Sequence, residues 1–187
     1  MKTKLILIGG VPGTGKTTIA YTLALNLKID KVLSTDIIKV LSKTYNQNFD
    51  KYLFTTTHEA YTLENLSVID GYLEHSKIIN ELVLKVLDNI RDKVIIIEGS
   101  TINKDLLNMI DKDKYEFIYL NLTLPIKDLI IRYKLKSKLR KSNWLDNISI
   151  IEEISNYLSK DNLNILNNNI DETLERIIKY VKENLYI

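Results

Sequence analysis

Gly10-Val11-Pro12-Gly13-Thr14-Gly15-Lys16-Thr17 follows the apolar run Leu5-Ile6-Leu7-Ile8 with only Gly9 between them. Strand, glycine-rich turn, Lys-Thr pair and helical segment thus stand in the order of a phosphate-binding loop. Glycines 10, 13 and 15 permit positive φ and close ligand approach, so successive backbone N–H groups converge on anionic oxygens. The segment from Lys16 through Thr18 to Leu25 has a helical pattern, and its unpaired first N–H groups and dipole attract the same phosphates. Lys16 is expected to reach the β- and γ-phosphates, and the Thr17 hydroxyl to ligate the Mg²⁺ that bridges them. The sequence therefore predicts ATP with Mg²⁺, contacted by residues 10–18. A glycine-rich hairpin turn, the bland alternative, requires neither the Lys-Thr pair nor the helix behind it.

Ligands in open α/β sheets bind at the carboxyl ends of the strands, and three further positions fall there. Ser34-Thr35-Asp36 closes a second strand and opens a helix over Ile37–Lys43. Asp36 is the candidate base, to orient an acceptor hydroxyl and take its proton late in transfer, or to hold Mg²⁺ through water. Asp is also a preferred helix cap, and one side chain can do both. Glu98-Gly99 closes a third strand; Glu98 suits a metal-bound water or substrate, and Gly99 a close approach or a turn. Glu98 has no acid before it, unlike the Asp-Glu pair of motor ATPases, which favours a small-molecule kinase.

The third position is the run from Arg132 to Lys141, with six cations and no acid in ten residues. Such a run repels itself unless anions occupy it. A basic lid over residues 126–144 is expected to fold over the nucleotide, with Arg132 and Arg140 stabilising the transferring phosphoryl group. The intervening lysines also suit a solvated face. A nucleic-acid surface, with Tyr133 and Trp144 near the basic helix, is the rival reading, disfavoured because the patch is short and isolated.

Substrate specificity is expected in an insertion from Tyr45 to about Tyr72, where Tyr61 is the candidate ligand contact and the other aromatics pack. Lys39 and Lys43, four residues apart, share a helix face and suit a second anion on the substrate, or water. His58 and His75 are read as hydrogen-bonded structural residues.

The elements that must position these groups are short β-branched runs alternating with helical patterns, the signature of βαβ units around a parallel sheet. Strands are expected at Lys4–Gly9, Lys31–Ser34, Lys93–Glu98, Glu116–Leu122 and Leu163–Asn167. Val94-Ile95-Ile96-Ile97 lacks alternation, as a strand covered on both faces does, and is expected beside the first strand. With 187 residues, 45% hydrophobic and 27% charged, the chain reads as one domain, 1–187, able to bury about 70% of its unfolded surface. Zero cysteines exclude disulfides and thiolate chemistry. A net charge of +2 makes no whole-protein case for nucleic acid. The first apolar run is too short for a signal peptide or a membrane span, so a cytoplasmic protein is expected. A homo-oligomer is compatible with the sequence. The tract Asn167-Asn168-Asn169 reads as compositional drift without a role.

Gly9-Gly10 through Thr17, Ser34 through Lys39, Ile97-Glu98-Gly99, the basic segment from Arg132, and Ile151 through Thr173 together resemble the archaeal 2-phosphoglycerate kinase family and its mevalonate-3-phosphate 5-kinase relatives. The resemblance covers nearly the whole chain and implies a three-layer α/β P-loop NTPase of nucleoside-monophosphate-kinase-like fold, with a five-stranded parallel sheet and a helical lid. It implies phosphorylation of a hydroxyl on a small acid that already carries phosphate, and leaves the acceptor open between 2-phosphoglycerate and mevalonate 3-phosphate. The family tends to carry Arg where this chain has Lys39 and Lys43. An RNA- or tRNA-directed kinase, or a nucleotide-dependent binding module with little phosphotransfer, are the alternatives.

Overall fold

Five parallel strands, β1 (Thr3–Gly9), β2 (Lys31–Ser34), β3 (Val94–Glu98), β4 (Tyr115–Thr123) and β5 (Asn164–Leu166), form one sheet in the order β2-β3-β1-β4-β5. They belong to a computed structural model that describes residues 2–45, 50–137, 143–160 and 162–187. All five expected strands are present, and β3 pairs with β1, Leu5 beside Ile95 and Leu7 beside Ile97. Parallel neighbours require crossovers, which the helices supply. These are α1 (Lys16–Leu27), α2 (Thr35–Tyr45), α3 (Val68–Leu87), α4 (Lys104–Met109), α5 (Ile126–Ser137), α6 (Ile148–Ser159) and α7 (Ile170–Leu185).

The central strands are apolar on both faces because successive side chains enter different cores. Ile6, Ile8, Ile96 and Leu120 pack with Ile19 and Leu23 of α1 and with Ile177 and Val181 of α7. Leu5, Leu7, Ile95 and Ile97 pack with Val83 and Leu87 of α3 and Leu106 of α4. Each fully buried Leu or Ile contributes about 2 kcal/mol, so the two layers together hold the sheet. The edge strands β2 and β5 are short and only partly covered. A third cluster joins Val11 of the glycine-rich loop to Tyr72, Leu129, Tyr133, Ile151 and Ile154, and so fixes that loop against α3, α5 and α6.

Helix starts follow local chemistry. The Ser67 hydroxyl accepts from the Asp70 N–H, and the Asn103 and Asn169 side chains accept from the first-turn N–H groups of α4 and α7. Within the expected insertion, residues 50–63 form two 3-10 turns, Lys51–Phe54 and Ala60–Leu63, packed on α3. Tyr52 and Tyr72 are buried there, in keeping with a packing role. His75 is buried as expected of a structural residue. Its Nδ1 lies 2.9 Å from the Tyr52 carbonyl, and burial pushes its imidazole down to about 3. Arg140 and the adjoining stretch 138–142 lie outside the described residues.

Candidate active site

The loop between β1 and α1 makes three turns that only glycine makes easily: φ is 130° at Gly10, 82° at Gly13 and 93° at Gly15. At Gly13 the packing adds a second demand, since a Cβ would stand 2.5 Å from the Tyr133 ring. Gly15 is the N-cap of α1, which carries no side-chain cap and no acid in its first turn. Its leading N–H groups are thereby presented to an anion rather than to the protein's own carboxylates. Thr17 and Thr18 are exposed in that first turn.

Lys16 is 7% exposed, and its Nζ donates to the Val11 carbonyl at 3.0 Å. Burial holds its ammonium down to about 8, against the opposing pull of Glu98 and Asp36. Thr14 also bonds Val11, its hydroxyl donating to the carbonyl at 2.9 Å. The loop is thus closed on itself around the lysine.

Beside the loop opens a cleft of about 360 Å³. Pro12, Gly13, Lys16 and Thr17 form one wall, Asp36 and Lys39 of α2 another, and Glu98 and Ser100 its floor. Asp36, in the first turn of α2, is exposed, whereas Glu98 is 3% exposed at the end of β3. The parallel register that places Ser34 beside Glu98, and Ile8 beside Glu98 on the other side, brings both acids to one strand end. The Gly99 N–H donates to the Ile8 carbonyl at 3.1 Å. Gly99 is a close approach rather than a turn of positive φ: a Cβ there would fall on the buried Thr35 hydroxyl and 2.7 Å from Thr35 Cβ. Gly99→Ala is therefore expected to destabilise the fold by about 1–3 kcal/mol, read as a lowered urea midpoint with unchanged slope. A midpoint equal to wild type would show that Thr35 yields freely.

Several expected site residues take other places. Arg132 does not line the cleft. Its guanidinium donates to the Gly13 carbonyl at 3.1 Å and to the Asn167 carbonyl at 2.8 Å, so it ties the loop to the β5–α7 turn. Lys43 stands 5.3 Å from the centre of the Phe54 ring and does not line the cleft, whereas its neighbour Lys39 does. The pairing expected of the two lysines fails because the chain after α2 folds back and offers Lys43 an aromatic face. Tyr61 packs its backbone on Gly71 of α3 and does not line the cleft. Tyr133 is fully buried, donating to the Pro12 carbonyl at 2.6 Å and packing on Trp144 at 5.1 Å, so it offers no base-stacking platform.

The cleft also contains residues that sequence reasoning set aside. Thr56, Thr57 and His58 of the insertion, Lys136 of α5, and Trp144 complete its lining. A lone histidine between Thr57 and Glu59 carries no periodic or motif signal, and only folding brings it into one cleft with Lys39. Asn167 has a role after all. Its side chain donates to the Thr14 carbonyl at 2.7 Å while Arg132 holds its backbone, so the β5–α7 turn grips the loop.

A family model described as isopentenyl transferase matches residues 3–185. A 2-phosphoglycerate kinase of Methanococcus maripaludis is 28% identical over 96% of this chain, which spans 64% of that relative's length. A mevalonate-3-phosphate 5-kinase of Thermoplasma acidophilum is 31% identical over 51% of this chain and 50% of its own. Among solved structures, shikimate kinase from Bacteroides thetaiotaomicron superposes with a TM-score of 0.54 at 15% identity, covering 99% of both chains. The fold is that of the P-loop kinases, with the five-stranded parallel sheet the sequence predicts.

Proposed function

The chain belongs to the family described as isopentenyl transferase, and from that premise and the cleft we propose that it is an ATP-dependent small-molecule kinase. Its acceptor is a hydroxyl on a small carboxylic acid that already carries phosphate, 2-phosphoglycerate or mevalonate 3-phosphate. The observation that carries this reading is the meeting, in one cleft, of the anion-ready loop with Asp36, Lys39 and Glu98. Relatives named for two kinases of phosphorylated acids support it.

The loop from Gly10 to Thr18 would hold the triphosphate, with Lys16 on the β- and γ-phosphates. Among the described residues no three His, Asp or Glu converge. A bound Mg²⁺ would therefore take the Thr17 hydroxyl and the phosphates, with Asp36 or Glu98 reached through water. The metal would supply charge neutralisation on the phosphates. The acceptor oxygen forms its bond to the γ-phosphorus as the bond from that phosphorus to the β–γ bridging oxygen breaks. ADP departs and the hydroxyl proton passes to the Asp36 carboxylate. Catalysis on this scaffold is mainly positioning and electrostatic stabilisation. Arg132 acts by fixing the loop, and Arg140 remains a candidate phosphate ligand from the lid at about 126–144. Substrate selection belongs to the insertion at 45–72. No helix among the described residues is long and apolar enough to cross a membrane. We place the enzyme in the cytoplasm, where ATP and such acids are found.

Lys16 gives this reading a pH signature. Burial holds its ammonium down to about 8, and phosphates would favour the charged form. ATP affinity is expected to fall as pH rises above about 8, and binding near about pH 8.5 to take up a proton. Calorimetry in two buffers of different ionisation heat reads that uptake. Lys39→Met should leave it in place. No uptake would mean that Lys16 does not meet the phosphates.

The deciding experiment is coupled ADP release with Mg²⁺-ATP against 2-phosphoglycerate, 3-phosphoglycerate, mevalonate 3-phosphate, mevalonate 5-phosphate, shikimate, nucleoside monophosphates and deacylated tRNA. Strong stimulation by one phosphorylated acid supports the proposal. Stimulation by tRNA alone, or steady ATPase with no acceptor effect, overturns it. Pyrophosphate release from an allylic prenyl diphosphate in the presence of a nucleophilic acceptor would favour prenyl transfer. The lining suits that poorly, because Pro12 and Trp144 are its only carbon-rich side chains among the described residues.

A further inference from the structure

The insertion and the segment that returns from the lid meet at one polar knot beside the cleft. His58 is 3% exposed, lines the cleft, and places Nε2 3.0 Å from Asn143 Oδ1. The Asn143 amide donates in turn to Glu59, and the second Glu59 oxygen accepts from the Thr56 hydroxyl at 2.5 Å. Because Asn143 Oδ1 can only accept, Nε2 carries the proton. Nδ1 is then the other ring position, buried and without a hydrogen-bond partner. An orphaned ring nitrogen is uncommon in a packed interior, where polar groups are nearly always satisfied.

Lys39 reaches the same segment, donating from Nζ to the Thr55 carbonyl three residues before His58. Burial and the neighbouring Lys43 hold its ammonium down to about 8. This cation is thus half-buried in a place where its charge is disfavoured until an anion arrives. Lys16 stands across the same cleft, so the two ammonium groups mark two anion positions. One belongs to the nucleotide loop and the other to the insertion.

We propose that His58, together with Lys39 and Thr57, forms the subsite for the phosphate monoester that the acceptor already bears, with Asn143 as the residue that orients the His58 ring. This rests on the kinase reading of the cleft and adds to it the residues that select the acceptor. A phosphate drawn to Lys39 gives the orphaned Nδ1 a partner through a proton shared between that nitrogen and a phosphate oxygen, and the Thr57 hydroxyl can donate beside it. An acid lacking that anion leaves Lys39 and His58 unsatisfied, which is the strong form of discrimination against an unphosphorylated analogue.

The chain has two histidines, and His75 in its buried position serves as an internal control. Imidazole proton NMR of the whole protein, with the His58→Gln spectrum assigning the signals, is followed as inorganic phosphate, 2-phosphoglycerate or mevalonate 3-phosphate is added. The His58 signal is expected to shift saturably with all three and hardly with glycerate or mevalonate, while His75 stays put. In kinetics, His58→Gln should raise KM for the phosphorylated acid that the enzyme uses about 10-fold or more, with KM for ATP nearly unchanged. A His58 signal that ignores phosphate and every phosphorylated acid overturns the subsite. So does a folded His58→Gln enzyme with wild-type acceptor KM. Should no acid stimulate ADP release, the kinase reading fails. The phosphate titration then decides the subsite alone: a saturable His58 shift upholds it and its absence ends it.

Discussion

Lys16→Ala is expected to lower kcat/KM about 10³-fold or more while the protein keeps its thermal midpoint within a few degrees. The size follows from what the side chain is. It is the one lysine of the loop, buried at 7% exposure beside Val11, and its charge would face the oxygens where negative charge builds during transfer. Removing a preorganised donor of that kind costs about 3–4 kcal/mol of transition-state stabilisation. The fold should tolerate the change, because burial already disfavours the Lys16 ammonium at neutral pH. Its folded pKa of about 8 lies below the unfolded value. Stability from this group is therefore present at high pH and lost as pH falls through about 8, so alanine relieves a cost at pH 7. Steady-state kinetics and a melting curve on one preparation check both halves. Near wild-type kcat/KM would remove the loop from catalysis.

Asp36→Asn is expected to reduce kcat about 10²- to 10⁴-fold with KM for ATP little changed. Asparagine keeps the volume, and Asp36 sits within the first turn of α2 rather than at the cap that the sequence also suggests, so the helix start is preserved. What is lost is the carboxylate that takes the acceptor proton. Asp36 is exposed at the cleft and joined to the loop by shared lining, whereas Glu98 is enclosed at the end of β3. The open position is the better one for an incoming hydroxyl. Should Asp36→Asn turn over at the wild-type rate with ATP binding intact, the base assignment fails, and Glu98→Gln becomes the informative variant.

The two effects differ in kind, and the pair separates them. Lys16→Ala should weaken ATP binding as well as turnover, because phosphates meet the lysine in ground and transition states alike. Asp36→Asn should act on turnover only. His58→Gln occupies a third class, acting on acceptor KM.

The sequence by itself determined the elements and the loop. β-branched apolar runs broken by Gly, Asn and Lys are local signals, and five strands appeared where they were expected. The loop is equally local, since glycine at 10, 13 and 15 admits the positive φ values that the turn takes. That Asp36 and Glu98 stand at one rim follows from the strand ends of a parallel sheet, and both line the cleft together with Lys39 of α2. Tertiary structure decided the rest. Arg132 looked like a phosphate ligand because a guanidinium suits phosphate, yet it suits carbonyl oxygens too, and packing of α5 brought Gly13 and Asn167 within its reach. Lys39 and Lys43 share a helix face by spacing, but the returning chain gave one the cleft and the other Phe54. His58, Asn143 and Asn167 carry no motif; their roles are contacts across 85 and 153 residues of chain. Periodicity and residue type report what a segment does with its own backbone. Which side chains face each other across a cleft depends on how the layers pack, and no window of sequence contains that.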